Sequence, residues 1–375
     1  MWFKFAAFCS NWLRQKKEAK AQRKQQIQFH TIAENIAEFQ TQNCNANSYL
    51  IFKLDDIGDY LLFENSFYKW LEKQESKQVF FVGNEIWKTL FDEKFGHLKI
   101  QCSWIHKHKW LNNAKYQKEK AKELQAIAPE VCFYAAYTRT LTLESSMGFL
   151  FPNAEHIGFD NPKNADQFLE YFKLTQYIKA PAAAHELELN AHFWEQELDF
   201  TFSQKPDNKS NYFILGIGGN QKSKRWSAKK YSKIIQNILA QNPSLICYLV
   251  GGKAEQAQAN QIQELVNHPN CIQYCQKLSL LELAAFCRQA QFAICNDTAV
   301  AHVCALQQTP VLVIANGNRY GRFFPYPPNF KWVKVLYPKD LTDKTYDWEG
   351  KFPINAVSSA EVVNELKILR NSIKN

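Results

Sequence analysis

Phe292-Ala-Ile-Cys-Asn-Asp-Thr-Ala-Val-Ala-His302, running on through Cys304-Ala-Leu306 to Pro310-Val-Leu-Val-Ile314, decides the fold of this chain. It reads as a buried strand, a polar elbow, a helix and a second buried strand, the alternation expected of a parallel sheet. The elbow Asn296-Asp297-Thr298 puts a carboxylate and a hydroxyl where a strand hands over to a helix. The first backbone N–H groups of a helix have no partner inside it, so such an elbow is suited to hold an anion. Asp and Thr are also ordinary helix caps, and the elbow alone leaves that role open.

Upstream the alternation continues. Tyr212–Ile217 is a strand, Gly218–Trp226 a loop, and Ser227–Leu239 a helix. Leu245–Val250 is a strand ending at Gly251-Gly252, Ala254–Val266 a helix, Ile272–Cys275 a strand and Leu280–Gln289 a helix. Downstream, Pro325–Pro328 and Trp332–Pro338 read as irregular, and Ala360–Leu369 as a closing helix. The first half repeats the pattern: strand Tyr49–Leu54, loop Asp55–Asp59, helix Tyr60–Leu71, strands at Val79–Val82 and Val131–Tyr134, and a weak one at His156–Phe159. The polar stretch Ser203–Asn211, which contains Pro206, reads as the linker. The expected segments are therefore an N-terminal extension (1–47), a first domain (48–202), a linker (203–211), a second domain (212–340) and a C-terminal tail with a helix (341–375).

A chain of 375 residues suits two domains, and a hydrophobic fraction of 46% with 22% charged residues suits a soluble globular protein. No apolar run reaches the length of a membrane-spanning helix. The ten cysteines form no Cys-x-x-Cys pair, and several sit in apolar runs. Free thiols in a reducing cytoplasm are expected, with no zinc site.

The net charge of +9 is unevenly placed: Lys4, Arg14, Lys16, Lys17, Lys20, Arg23 and Lys24 stand against Glu18 alone before residue 30. On a helical projection Trp2, Phe5, Phe8, Cys9, Trp12 and Leu13 share a sector. Residues 1–26 thus read either as a helix lying in a membrane interface or as a helix packed on its own domain. The stretch Trp104-Ile-His-Lys-His-Lys-Trp110 interleaves basic and aromatic side chains. His106, Lys107 and Lys109, with Lys53, are candidates to hold an anionic acceptor, although a solvated helix entry explains them equally. The basic residues accompany no nucleic-acid recognition motif, and no nucleic-acid partner is expected.

Ligands of open parallel sheets bind beyond the carboxyl ends of the strands. Three loops leave such ends in the second half: Gly218–Trp226, Gly251–Glu255 and Asn296–Thr298. The first joins glycines to Lys222, Lys224 and Arg225, a composition suited to a diphosphate. It is neither Gly-x-Gly-x-x-Gly, since Gln221 occupies the last position, nor a P-loop. In the first half Asp59 follows Gly58 where a strand passes into a helix, and it is a candidate general base or a cap.

Together Ile57-Gly-Asp59, Lys224-Arg-Trp226, Gly251-Gly-Lys-Ala-Glu255, Lys277-Leu-Ser-Leu280 and Asp297-Thr-Ala-Val-Ala-His302 resemble the signatures of glycosyltransferase family 9, the ADP-heptose:lipopolysaccharide heptosyltransferases, in family order over about residues 48–340. The resemblance implies an α/β GT-B architecture, two Rossmann-like doubly wound domains facing across a cleft, here preceded by a basic helical extension. It also implies inverting transfer that needs no metal or other cofactor. Asp59 then takes the proton from the acceptor hydroxyl, and Lys224 neutralises the leaving diphosphate. Asp297, Thr298, Ala299 and His302, with Gly218, Gly219, Asn220, Arg225 and Gly251, line the donor site. Glu255 holds the nucleotide ribose and Leu278 lies along the base.

Ala299 stands where glycine is usual, and Gly219 and Asn220 where polar residues are expected, which leaves the donor sugar open. The expected partners are a nucleotide-sugar donor, an anionic glycolipid acceptor and, through residues 1–26, the cytoplasmic face of the inner membrane. Two further readings stand beside this one: a GT-B enzyme with another sugar or a non-lipid acceptor, and a nucleotide-sugar-binding protein without catalysis.

Overall fold

A computed structural model describes residues 2–161, 173–198, 209–219, 221–341, 345–347, 350 and 352–374, apart from the side chains of 2–15, 17, 18, 222, 373 and 374. Residues 203–208 of the expected linker, Asn220, and the apolar sector of the leader therefore lie outside the described residues or side chains. The chain forms two compact units, one of Met1–Asp56, Ser66–Ala180 and His192–Gln196, the other of Ile57–Asn65, Pro181–Ala191 and Glu197–Asn375.

The first unit is built on β1 (Asn45–Lys53), β2 (Gln78–Asn84), β3 (Gln101–Ile105), β4 (Pro129–Tyr134), β5 (Glu155–Asp160) and β6 (Gln176–Lys179). They pair in the order β3-β2-β1-β4-β5-β6, all parallel. Its helices are α1 (Trp2–Ile36), the later turns of α2 (Ile57–Leu71), α3 (Lys88–Phe95), α4 (Lys107–Asn112), α5 (Ala114–Gln125) and the short α6 (Ser146–Gly148). A π-helical turn, Leu141–Ser145, precedes α6. The last turns of α1 belong to the core, where Phe29, Ile32, Ala33 and Ile36 are buried with Leu50, Trp110 and Leu150. From Lys16 to Gln28 every described side chain of α1 is exposed or half-exposed.

The second unit holds the first turns of α2 and most of α7 (Glu186–Phe193). There follow β7 (Tyr212–Gly216), α8 (Ala228–Gln241), β8 (Ile246–Val250), α9 (Gln256–Val266), β9 (Cys271–Gln273), α10 (Leu280–Gln289), β10 (Ala293–Asn296), α11 (Ala299–Leu306), β11 (Val311–Ile314), β12 (Val333–Leu336) and α12 (Ser359–Lys374). The strands are all parallel in the order β12-β11-β10-β7-β8-β9. Counted from the first strand of each sheet, both units have the same doubly wound order, which reverses between β1 and β4 and between β7 and β10. Every residue of β7, β10 and β11 is buried, as continuous apolar strands covered on both faces must be. Both units are Rossmann-like, and the fold is that of GT-B enzymes.

One expected segment is corrected. Trp332–Pro338, read as irregular, contains β12, paired with β11 from Val311↔Val333 to Ile314↔Leu336. The strand lies at the sheet edge, where Val333 and Val335 alternate with exposed Lys334, and the flanking prolines hide so short an alternation. The edge strands β3 and β6 are likewise short and mix polar with apolar residues, so no run marks them.

Candidate active site

The elbow lies at the reversal of the second sheet, between the ends of β7 and β10, the position where doubly wound sheets take their ligands. Asn296 ends β10 fully buried and ties the two strands together. Its Nδ2 donates to the carbonyls of Ile217 and Gly218, each at 3.1 Å, and its Oδ1 accepts from the hydroxyl of Tyr231 at 2.8 Å. Thr298 occupies the cap position of α11 but its side chain makes no capping bond. Its Oγ1 is buried without a hydrogen-bond partner among the described residues. A buried hydroxyl without a protein partner is uncommon in folded proteins, and this one carries no capping duty. Asp297 precedes the cap position, and its Oδ2 accepts from Lys224 Nζ at 2.6 Å.

Lys224 is aimed by its neighbour. Trp226 is fully buried, its Nε1 donating to the Val357 carbonyl and its ring edge-on to Tyr231 at 4.9 Å. That anchor fixes the loop so that Lys224 and Arg225 project back over the strand ends. Arg225 donates to the Gly219 carbonyl at 2.9 Å and to Glu255 Oε1 at 3.1 Å. Glu255 also accepts from the Gly252 N–H at 2.9 Å and is buried. A side chain at Gly251 would bring its Cβ within 2.8 Å of Glu255 Cβ, so only glycine lets Glu255 fold back against this strand end. Gly218 lies between Glu255 and Thr298, its Cβ direction meeting them at 3.6 and 3.7 Å. Leu278 is half-buried against the core below β10 and β11. Lys224, Arg225, Glu255, Asp297, Thr298 and the glycines thus converge, with paired charges around one unbonded hydroxyl.

Two residues of this edge went unnoticed in the sequence. Tyr337, directly after β12, has a buried hydroxyl without a partner among the described residues. Burial pushes its pKa up, with Tyr320 and Asp297 adding to the effect. Tyr326 donates to or accepts from His302 Nδ1 at 2.7 Å. His302 is buried and stacked on Phe324 at 4.9 Å. Burial pushes its pKa down to about 4, with Asp297 opposing and Lys224 assisting, so the ring is neutral. The Cδ2 and Nε2 edge of that ring lies 3.0 and 3.6 Å from where a Cβ on Gly58 would stand. His302 therefore backs the turn that carries Asp59. Asp59 is the third residue of α2, in its first turn, and Asp56 holds the cap position. Ile57–Asn65 cluster with the second unit, the same unit as Lys224 and Asp297.

The model of glycosyltransferase family 9 (heptosyltransferase) matches residues 128–348, more than half of the chain. The chain belongs to glycosyltransferase family 9. Its fold is similar to Escherichia coli heptosyltransferase WaaC with ADP, at 14% identity over 86% of this chain and 99% of that one, TM-score 0.65. It is likewise similar to a family 9 glycosyl transferase from Veillonella parvula, at 15% identity over 89% and 100%, TM-score 0.67. Escherichia coli ADP-heptose lps heptosyltransferase II aligns at 11% identity over 88% and 100%, TM-score 0.62. No curated protein matches the chain in sequence. Family membership makes the protein a glycosyltransferase.

The first unit of this family 9 chain carries the remaining candidates, with Lys53 at its own reversal point, at the end of β1. Lys53 is fully buried, its Nζ paired with Asp55 at 2.8 Å and donating to the Ala135 carbonyl at 3.1 Å. Lys107 pairs with Asp56 at 2.8 Å. His106 Nδ1 accepts from the Lys109 N–H and caps α4, and Lys109 lies over the Tyr116 ring at 5.9 Å. Lys53 and Lys107 are thus brought to one loop, Asp55-Asp56, while His106 and Lys109 serve α4 and α5. Glu144, which nothing in the sequence marked, lies buried in the π-helical turn and accepts from the Thr140 N–H at 2.9 Å. Burial raises its pKa to about 7, and Asp55 adds to the shift. No group of three or more His, Cys, Asp or Glu side chains among the described residues is arranged to hold a metal ion.

Proposed function

We propose that this family 9 enzyme is an inverting, metal-independent transferase that moves heptose or a related sugar from a nucleoside-diphosphate sugar, with ADP-heptose the first donor to test, to a lipopolysaccharide or lipooligosaccharide core. The observation that carries the reading is the Lys224–Asp297 pair beside the unbonded Thr298 hydroxyl at the N-terminus of α11. A departing diphosphate gains negative charge. Without a metal, that charge is met by a fixed cation and by helix-end amides, here Lys224 and the first N–H groups of α11. Glu255, held by Gly252 and Arg225, supports the nucleoside as an acceptor for ribose hydroxyls. The ADP in the WaaC structure, and the ADP-heptose after which heptosyltransferase II is named, support an adenosine donor for this chain as well.

In the proposed step Asp59 takes the proton of the acceptor hydroxyl as its oxygen bonds to the anomeric carbon. The bond from that carbon to the diphosphate oxygen breaks, and its electron pair leaves with the nucleoside diphosphate. Thermal shifts and turnover with ADP-heptose against other nucleotide sugars test the reading, because a ligand of the native state stabilises it by mass action. A larger shift and faster turnover with a different nucleotide sugar would replace the donor assignment. Ala299, in place of the usual glycine at the start of α11, favours a different sugar as the second reading.

We also propose that α1 seats the enzyme on the cytoplasmic face of an anionic membrane. Lys16, Lys20, Arg23 and Lys24 are exposed, while the helix becomes buried only from Phe29 onward. Each basic residue near an anionic surface contributes about 1 kcal/mol. Flotation with phosphatidylglycerol vesicles should carry the full chain and leave behind a chain lacking residues 1–26; equal flotation of both would end this reading.

A further inference from the structure

The carboxyl end of the second sheet continues past the donor contacts above. The register pairs Asn296↔Ile314 and Ile314↔Leu336 set the last residues of β10, β11 and β12 in one row. Asp297 and Tyr337 are the first residues beyond that row, two strand spacings apart, or about 10 Å. Asn316 follows β11 between them, and its amide is bonded within the protein. Its Nδ2 donates to the Ser223 carbonyl at 3.1 Å, and its Oδ1 accepts from the Asn318 N–H at 3.0 Å. Tyr337 differs, because its hydroxyl oxygen is buried with no hydrogen-bond partner among the described residues.

Packing shows which way the ring is turned. Leu336 lies beside the core that holds Leu312 and Ile314, on one face of the sheet. Tyr337, with Val333 and Val335, packs against the opposite core, which holds Val300 and Ala301 from the first turn of α11. Tyr337 is therefore on the face from which Thr298 opens α11. The Tyr320 ring holds it from the loop after β11, with centroids 5.3 Å apart. Burial, then Tyr320 and Asp297, push the phenol's pKa well above its ordinary value, so the hydroxyl keeps its proton at any working pH. Phenylalanine would fill the same space without burying an unbonded hydroxyl, which disfavours the ligand-free fold.

On the proposed reading the donor lies along the same strand ends. Its ribose is at Glu255, beyond β8, and its diphosphate at Lys224 and Thr298, beyond β7 and β10. The sheet order β8-β7-β10-β11-β12 carries that line onward to Tyr337. We propose that Tyr337 binds the transferred sugar of the donor, its hydroxyl exchanging a hydrogen bond with a sugar hydroxyl. The inference rests on the reading of this site as that of a nucleoside-diphosphate sugar. A phenol suits such a partner, because each hydroxyl can both donate and accept. The diphosphate is already met by Lys224 and the start of α11, which leaves the neutral Tyr337 for the neutral end of the donor.

The test compares the parent with Tyr337→Phe in the full chain, by calorimetric titration with ADP and with ADP-heptose and by thermal unfolding without ligand. Phenylalanine keeps the ring and its contact with Tyr320, so the variant should fold, and its Tm should rise by about 2–4 °C. ADP, which has no sugar beyond its diphosphate, should bind within about twofold of the parent. ADP-heptose should bind about 3- to 10-fold more weakly. Equal weakening of both ligands would make Tyr337 a diphosphate contact. Unchanged affinity for both would make it a packing residue, and a lower Tm would show its hydroxyl bonded within the ligand-free protein. Any of these three results overturns the inference. If the parent instead binds and turns over another sugar from a panel of ADP-, UDP- and GDP-linked sugars, the ADP-heptose assignment falls. The same comparison, that nucleotide sugar against its free nucleotide, then decides Tyr337. A parent that binds none of the panel removes the donor reading and this inference with it.

Discussion

Thr298→Val separates a ligand-binding role from a capping role by the sign of two effects. Valine keeps the shape of threonine, and the backbone of Thr298, at φ −149° and ψ 168°, is extended, where a β-branched residue is at ease. A threonine that caps a helix contributes about 1 kcal/mol, and its loss destabilises. Thr298 makes no capping bond, and its hydroxyl is buried and unbonded, a state that costs about 1–3 kcal/mol. Thr298→Val should therefore stabilise the ligand-free protein by about 1 kcal/mol or more, raising Tm by about 2–4 °C for a unit of this size. With ligand the sign reverses. A hydrogen bond to a charged phosphate oxygen contributes about 1.5–3 kcal/mol, so ADP and donor should bind about 10- to 100-fold more weakly. Thermal unfolding with and without ADP, and calorimetric titration, read both effects, and Thr298→Ser serves as the control that keeps the hydroxyl. A Tm that falls while ADP affinity stays unchanged would show that the hydroxyl supports α11 rather than a ligand.

The other expectations concern charge. Lys224→Met or Asp297→Asn alone leaves one charge of a mostly buried 2.6 Å pair uncompensated and should cost about 3–5 kcal/mol, whereas the double variant should recover most of that stability. Turnover should stay at least about 100-fold down in every variant lacking Lys224; single variants as stable as the parent would refute the pairing argument. Asp59→Asn should lower kcat by about 100- to 10,000-fold with ADP affinity nearly unchanged, as measured by initial rates and calorimetry. His156, His185 and His302 are buried with pKa values pushed down to about 4, about 3 and about 4, against about 6.5 when unfolded. Below pH 6.5 the unfolded chain binds protons that the folded one does not. Stability is thus full above that pH and falls as pH drops towards 4, by up to about 1.4 kcal/mol per unit for each histidine. Urea melts at pH 7.5 and 5.5 read this loss, and His156→Asn should lessen it in the first unit; a pH-independent midpoint would contradict it.

How much of this was legible in the sequence follows from where the information lies. The central strands β7, β10 and β11 are unbroken apolar runs because both faces are covered, so they announced the parallel sheet and with it the loops at its reversal. The candidate-site residues sit directly on those loops, so position along the chain matches position in space for Gly218, Lys224, Glu255, Asp297 and Thr298. Edge strands β3, β6 and β12 mix Gln and Lys with apolar residues because one side faces solvent, and no run marks them. The Arg322–Glu186 pair and the bond from Asn190 to α2 were illegible for another reason. Arg322, Glu186 and Asn190 come from segments far apart in sequence, and a charged residue shows that it is buried only once its partners are known.

Lys224 and Asp297 neutralise each other at 2.6 Å with little exposure, so the pair at the centre of the ligand-free site has no net charge at the point where a diphosphate should bind. On the proposed reading, the diphosphate must take Lys224 from Asp297, and the repulsion between Asp297 and the phosphate oxygens sets part of the gain against a loss. The amides at the start of α11 and the unbonded Thr298 hydroxyl offset that loss. The advantage falls late in the reaction. Charge on the diphosphate is greatest as the glycosidic bond breaks, so the transfer of Lys224 from Asp297 to phosphate is most favourable in the transition state rather than in the bound donor. Asp297→Asn should therefore tighten ADP and donor binding while lowering kcat. Tighter binding with undiminished kcat would show that Asp297 restrains the donor without serving the reaction.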